Sequence, residues 1–184
     1  MCALETGAVA LGSLGSHFIL SPRILVRMAL HTAGEVSVHV DRTSAFDFVS
    51  DPMRLAQCVP GCRDLQEISP GRYSAVVTSK VAFIALSFKV IVEIVKNEPP
   101  DIIEAKITGD AIGLAGRVVA TAAMRLGSSG DGCTAIAYTT DVSLTGKLGG
   151  LGEPIFRAKS AELAREFATN LKSAIEKEPR ETHA

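Results

Sequence analysis

The stretch "PIFRAKSAELAREFATNLKSAIEKE", residues 154–178, decides how the rest of the chain must be arranged. Phe156, Leu163, Phe167, Leu171 and Ile175 recur every three to four residues. Arg157, Lys159, Glu162, Arg165, Glu166 and Lys172 lie between them. That spacing predicts a helix with one apolar stripe, which must rest on something. Pro154 can sit in its first turn, where a missing N–H costs nothing. The glycine stretch 146–152 precedes it and Pro179 follows. A helix of about 25 residues is roughly 37 Å long, enough to cross several strands about 4.8 Å apart.

What it crosses lies upstream. "DLQEIS", "RYSAVVTSKVAF", "LSFKVIVEIVKNE", "IIEAKITG", "GRVVATAAMRL" and "CTAIAYTTDVSLTG" read as strands. Pro70-Gly71, Pro99-Pro100 and "GSSGDG" are turn clusters between them. No helix separates these runs, so they are expected to pair antiparallel as a meander. Alternation assigns their faces. Phe88, Val90, Val92 and Ile94 oppose Lys89 and Glu93, and Ile103, Ala105 and Ile107 oppose Glu104 and Lys106. Val118, Ala120, Ala122, Met124 and Leu126 oppose Arg117, Thr121 and Arg125; Ile136, Tyr138, Val142 and Leu144 share one side of the last strand. One face of the sheet is apolar throughout and needs a cover.

Ahead of the meander, "EVSVHVD" alternates as a half-buried strand. "RTSAFDFVSD" and "PMRLAQCV" have helical spacing but are too short to stand alone. Asp51 can cap the second, with Pro52 at its first position, and Pro60-Gly61 stops it. The order is strand, two short helices, a run of strands and one long helix. The fold class is α+β: a curved antiparallel sheet gripping the final helix. The domain is expected over 34–178, with 179–184 as a tail. Residues 1–33 lack a strong period and read as a weakly ordered extension, or as a short helix packed on the domain. Either Met1 or Met28 can be the biological start.

Composition excludes several function classes. The 184 residues are 47% apolar and carry a net charge of −1, which rules out disorder and gives no general pull toward nucleic acid. With no Trp and two Tyr, a base-stacking platform has little to work with. Four cysteines, at 2, 58, 62 and 133, are too scattered for a disulfide framework, so a reducing, cytoplasmic setting is expected. "FILSPRILVRMAL" is broken by Pro22, Arg23 and Arg27 and is too short to span a bilayer.

The motifs point away from chemistry. Cys58 and Cys62 in "CVPGC" are separated by three residues rather than two and follow a helix instead of opening one. A zinc site needs about four ligands, and no second pair is evident. No metal is expected. "GDAIGLAG" has no helix after it, and "TGKLGGLG" lacks a phosphate-loop order, so both read as bends. His17, His31, His39 and His183 are scattered, and Asp47, Asp51, Asp110 and Asp141 fall at caps, turns or outward positions. No catalytic residue is assigned, and the protein is expected not to be an enzyme.

The order and three segments resemble the carbon monoxide dehydrogenase G-subunit (CoxG) family, within the START-like (SRPBCC, polyketide cyclase / Bet v 1) superfamily. The segments are "DPMRLAQCVPGC", "GDAIGLAG" and "YTTDVSLTGKLGGLG", and the similarity covers roughly Glu35 to Glu176. Phe46 stands where the family often has Trp. The chain stops at Ala184 with a short charged tail, so the apolar anchor of many members is not carried over. The resemblance implies a START-like helix-grip fold. It also implies an accessory protein of a carbon monoxide dehydrogenase-type molybdenum hydroxylase, which links the enzyme to the membrane. A hydrophobic small molecule, such as an isoprenoid quinone or a lipid-like ligand, would bind between sheet and helix, with no tightly bound cofactor. The location implied is cytoplasmic, peripheral at the inner face of the cell membrane. Two alternatives stand: an assembly or docking factor without ligand, and a START-like cyclase or aromatase-type enzyme.

Small residues on the inward faces of 102–109 and 116–126 leave room that either collapses or holds a ligand. Phe46, Phe83, Phe88, Val90, Met124, Tyr138, Phe156 and Phe167 are the expected lining. A plain core would show the same alternation. Tyr138 adds a hydroxyl that can meet a quinone-like carbonyl. Pro60, Gly61, Gly146 and Lys147 are expected at the pocket mouth.

Overall fold

The computed structural model describes residues 28–81, 83–130, 132–147 and 152–177. The elements run in the expected order: β1 (Met28–Val38), α1 (Arg42–Ser50), α2 (Pro52–Cys58), β2 (Cys62–Ser69), β3 (Arg72–Val81), β4 (Ile84–Glu98), β5 (Ile102–Ala111), β6 (Gly116–Ser128), β7 (Thr134–Gly146) and α3 (Glu153–Lys177). The seven strands form one antiparallel sheet in the order β1-β7-β6-β5-β4-β3-β2. β2 to β7 are a meander, because each neighbour follows after a short turn. β1 closes the far edge on β7. A bulge in β4 between Ile94 and Lys96 adds curvature where the sheet wraps.

The short helices are set by their caps. The Asp41 carboxylate accepts the Ser44 N–H at 3.0 Å to open α1. Asp51 ends α1 and opens α2, accepting the N–H groups of Met53 (2.8 Å) and Arg54 (3.3 Å), with Pro52 beside it. Gly61 then turns the chain into β2 at φ +72°, and its carbonyl accepts the Thr78 N–H at 2.9 Å. A Cβ at Gly61 would collide with the Thr78 carbonyl oxygen, so this turn requires glycine.

α3 lies along β1 and also touches α2 and β3. Beneath it the core is split in two. One cluster joins Val36, Val38, Ile103, Leu126, Ile136 and Tyr138 of the sheet to Phe46, Phe48 and Val49 of α1 and to Leu171 and Ile175 of α3. The other joins Met28, Leu30, Val81, Leu86 and Leu144 to Phe156 near the start of α3.

Regular structure begins ahead of the expected boundary at 34. β1 starts at Met28, and Met28 and Leu30 are buried. Residues 28–33 therefore belong to the sheet, paired with 139–144 of β7. Thr32, Ala33 and Gly34 mask the alternation there. The remainder of the extension (1–27), the glycine stretch 148–151 and the tail lie outside the described residues.

Candidate functional site

The inward face between the two clusters is the candidate site. Register places Ala75 and Val77 beside Val90 and Phe88, Val90 and Val92 beside Gly109 and Ile107, and Ala105 and Ile107 beside Ala122 and Ala120. Thr140 of β7 and Thr32 of β1 continue the row. Apart from Phe88, these residues belong to neither cluster. Val77, Val92, Ala105, Ile107 and Ala122 face inward yet stay partly exposed. These five are less completely buried than the side chains at the centre of the two clusters, so the middle of the grip is packed less closely than its ends. From α3, Lys159, Ser160 and Leu163 sit between the buried Phe156 and the first cluster, all half-buried. Lys159 is 19% exposed, with its ammonium 2.9 Å from Glu162.

Of the expected lining, Phe46, Val90, Tyr138 and Phe156 are buried, and Phe88, Met124 and Phe167 are partly buried against the clusters. Phe46, Met124, Tyr138 and Phe167 close one end of the grip; Phe88 and Phe156 close the other. Phe83 is a correction. It sits in the β3–β4 turn and is 88% exposed. The hairpin is tighter than the run "RYSAVVTSKVAF" suggests, so Phe83 belongs to the turn and points away from the sheet.

Tyr138 is also revised. Its hydroxyl donates to the Ala164 carbonyl of α3 at 3.2 Å, and its ring meets Phe167 edge-on at 5.4 Å. Burial pushes the phenol pKa up, which keeps the proton in place. Gly34 makes this possible: a Cβ there would collide with the Tyr138 ring and hydroxyl. The one phenolic proton is thus committed to the helix. Sequence reasoning missed Ser79 instead. Its hydroxyl is buried and has no partner among the described residues. The alternation Ala75, Val77, Ser79, Val81 carries that signal, since it puts a hydroxyl on the apolar face.

The residues expected at a pocket mouth lie toward one end of the sheet. Gly61 bonds Thr78, the Thr78 hydroxyl meets that of Ser87 at 2.9 Å, and the Ser87 carbonyl accepts the Ile112 N–H. Lys147 N–H donates to the Ala115 carbonyl at 2.8 Å. The α2–β2 turn with Pro60, the β3–β4 and β5–β6 turns, and the β7–α3 junction with Gly146 therefore share one rim. The opposite end is closed by α1 and by the carboxyl-terminal half of α3.

A family profile described as the carbon monoxide dehydrogenase G-subunit (CoxG) matches residues 34–176. The chain belongs to the CoxG family. No curated protein matches it by sequence. Its fold is that of a conserved protein from Geobacillus kaustophilus, at TM-score 0.71 and 23% identity over 79% of this chain and 95% of that one. A START superfamily protein from Mycobacterium smegmatis aligns at TM-score 0.60 and 13% identity, covering 79% and 97% of the two chains. The Zhui aromatase/cyclase from Streptomyces sp. R1128 aligns at TM-score 0.60 and 13% identity, covering 81% and 94%. At these identities the likeness establishes the START-like helix-grip fold and nothing further.

The chemistry of the CoxG grip follows from its side chains. Among the described residues no Asp, Glu, His or Arg is buried. His31 pairs with Asp141 at 2.7 Å on the outer face, both more than half exposed. Two shallow depressions, about 360 and 220 Å³, also lie mainly on that outer face, around His31, Thr121 and Asp141 and around Val95, Lys106 and Thr139. Burial raises the thiol pKa values of Cys58 and Cys62, and no three metal-ligating side chains cluster among the described residues. No described helix is long and apolar enough to cross a membrane.

Proposed function

We propose that this CoxG protein carries a hydrophobic small molecule in the middle of the grip, as accessory to a carbon monoxide dehydrogenase-type molybdenum hydroxylase. The ligand class is an isoprenoid quinone or a molecule of similar chemistry, taken from and returned to the membrane. One observation carries the reading: the inward wall between the two core clusters is apolar, small and partly exposed. An apolar chain would bury that wall, at about 25 cal/mol per Å² removed from water. The Ser79 hydroxyl offers a hydrogen bond to a ligand carbonyl. That no Asp, Glu, His or Arg is buried among the described residues supports carriage rather than catalysis; Lys159 is half-buried, but its ammonium is paired with Glu162.

Native mass spectrometry of gently purified protein, with thermal shift against added quinones, tests this. Retained apolar mass, or a rise in Tm that grows with quinone concentration, is expected. If neither retention nor a shift is seen, the carrier reading is overturned.

A further inference from the structure

The outer face of the sheet, away from α3, has an uncharged middle row. Ser143, Val119, Thr108, Ile91 and Ser74 follow one another across β7, β6, β5, β4 and β3. Val119 is 45% exposed, and the larger outer-face depression opens beside it and Ser143. On each side of this row the two central strands place one acid and one base. Lys89 stands opposite Asp110 on one side, and Glu93 opposite Lys106 on the other. The four charges mark a rectangle about 13 Å along the strands and about 5 Å across, with signs alternating round its corners. All four residues are exposed, and among the described residues none is in an ion pair. Opposed charges left unpaired in their own sheet are available to a surface that lies on it.

We propose that this face binds a second copy of the chain, in a twofold dimer centred on Ile91 and Thr108. A twofold axis along the middle row lays Lys89 over the partner's Glu93 and Asp110 over the partner's Lys106, and each contact is made twice. The other charges of the flanking rows meet neutral groups under the same rotation. Arg117 faces the partner's Thr121, Arg72 the partner's Val76, and Asp141, already paired with His31, the partner's Thr145. No like charges are brought together, and Val119 meets its own copy beside the depression. The rectangle has no net charge, so it favours neither a polyanion nor a polycation. It fits a surface with the same alternation, which a second copy necessarily carries. The chain's net charge of −1 adds little repulsion. The patch spans about 19 Å over five strands and about 14 Å along them, well under a standard interface, so a dimer of micromolar affinity is expected. The contact leaves both inner faces uncovered, and it stands apart from the carrier reading.

Sedimentation equilibrium of the full chain from about 1 to about 300 µM tests this. A monomer–dimer equilibrium, weakened by added salt, is expected. Glu93→Lys with Asp110→Lys makes the rectangle wholly basic, and Lys89→Glu with Lys106→Glu makes it wholly acidic. All four sites are exposed, so both variants should stay folded, with circular dichroism and Tm as the check. Each variant alone should raise the dimer dissociation constant by about tenfold or more, because like charges then face one another. Mixed in equal amounts, the two should form a heterodimer at least as tight as the wild-type dimer. Val119→Asp, on the uncharged row, should also weaken the dimer by about tenfold or more. A wild-type chain that stays monomeric over the whole range overturns the proposal. So does a dimer that keeps its affinity in both single-sign variants, which would place the contact on another surface, and so does failure of the mixed variants to associate. No quinone enters these measurements, so the carrier reading stands or falls separately.

Discussion

The closed end of the grip and its rim differ in how each holds α3. At the closed end Leu171 and Ile175 are buried, Tyr138 donates to the Ala164 carbonyl, and the Asn170 amide donates to the Cys58 carbonyl at 3.2 Å. His39 meets Glu176 at 2.8 Å, a contact that lowers the Glu176 pKa. At the rim, Phe156 is the one buried side chain of the helix, and Arg157 pairs with Glu153 of the same helix. Among the described residues, polar links to other elements hold one half, whereas the other half has one buried apolar anchor.

Gly61→Ala is the largest test of that contrast, because this turn ties α2 to β3 at the rim. With φ at +72° and a carbonyl in the way, the variant should lose about 3 kcal/mol or more in urea unfolding. Retained stability would show that the turn can re-form without harm.

Next come Leu171→Ala and Phe156→Ala. Both remove buried bulk and should each cost about 2–5 kcal/mol if the two ends were equally packed. Unequal packing predicts that Leu171→Ala takes the full loss globally. Phe156→Ala should instead raise amide exchange over 153–163 while Tm falls less. Equal loss with uniform exchange would mean that α3 is held alike at both ends.

Two hydroxyls probe the same difference on a finer scale. Tyr138→Phe should cost about 1 kcal/mol, since it removes a satisfied bond at the closed end. Ser79→Ala should leave the free protein as stable or more so, since it removes a buried hydroxyl without a partner, and should shrink the quinone-induced rise in Tm. A loss of stability in the free Ser79→Ala protein would show that the group is satisfied.

The cap of α1 gives a pH dependence. The Asp41 pKa is lowered, first by its side-chain bond to Ser44 and then by the Ser44 N–H. A lowered carboxylate stabilises the fold above its unfolded pKa, and that stabilisation disappears as pH falls through the folded one. Asp41→Ala should cost about 1 kcal/mol or less at neutral pH and nothing in strong acid, because the carboxylate is largely exposed. A pH-independent loss would locate its role elsewhere.

The smallest expected effect is on the thiols. Replacing Cys62 with Ala should change stability by about 0.5 kcal/mol or less and leave ligand retention intact. Thiolate alkylation should be slow at neutral pH and rise only in base, because burial raises both pKa values.

Much of this is legible in the chain. The strands from β2 to β7 show their turn residues except at the β3–β4 turn, and α3 shows its stripe, because both periods are local properties of the backbone. The cap at Asp51 and the stop at Pro60-Gly61 are equally local, whereas the cap at Asp41 is known only from the structure. β1 reads short because Thr32, Ala33 and Gly34 interrupt its alternation, although pairing with β7 keeps it a strand. Phe83 misleads because one residue of turn length moves a side chain from the wall to the rim.

Spacing and motif alone were enough for the element order, the antiparallel meander, the apolar inner face and the family. They could not say which inward residues pack in the two clusters and which stay partly exposed. Nor could they assign the Tyr138 proton to Ala164. Those facts belong to the tertiary structure, and the reason is reach. They depend on where α3 comes to rest across strands far away in the chain, and no local period encodes that placement.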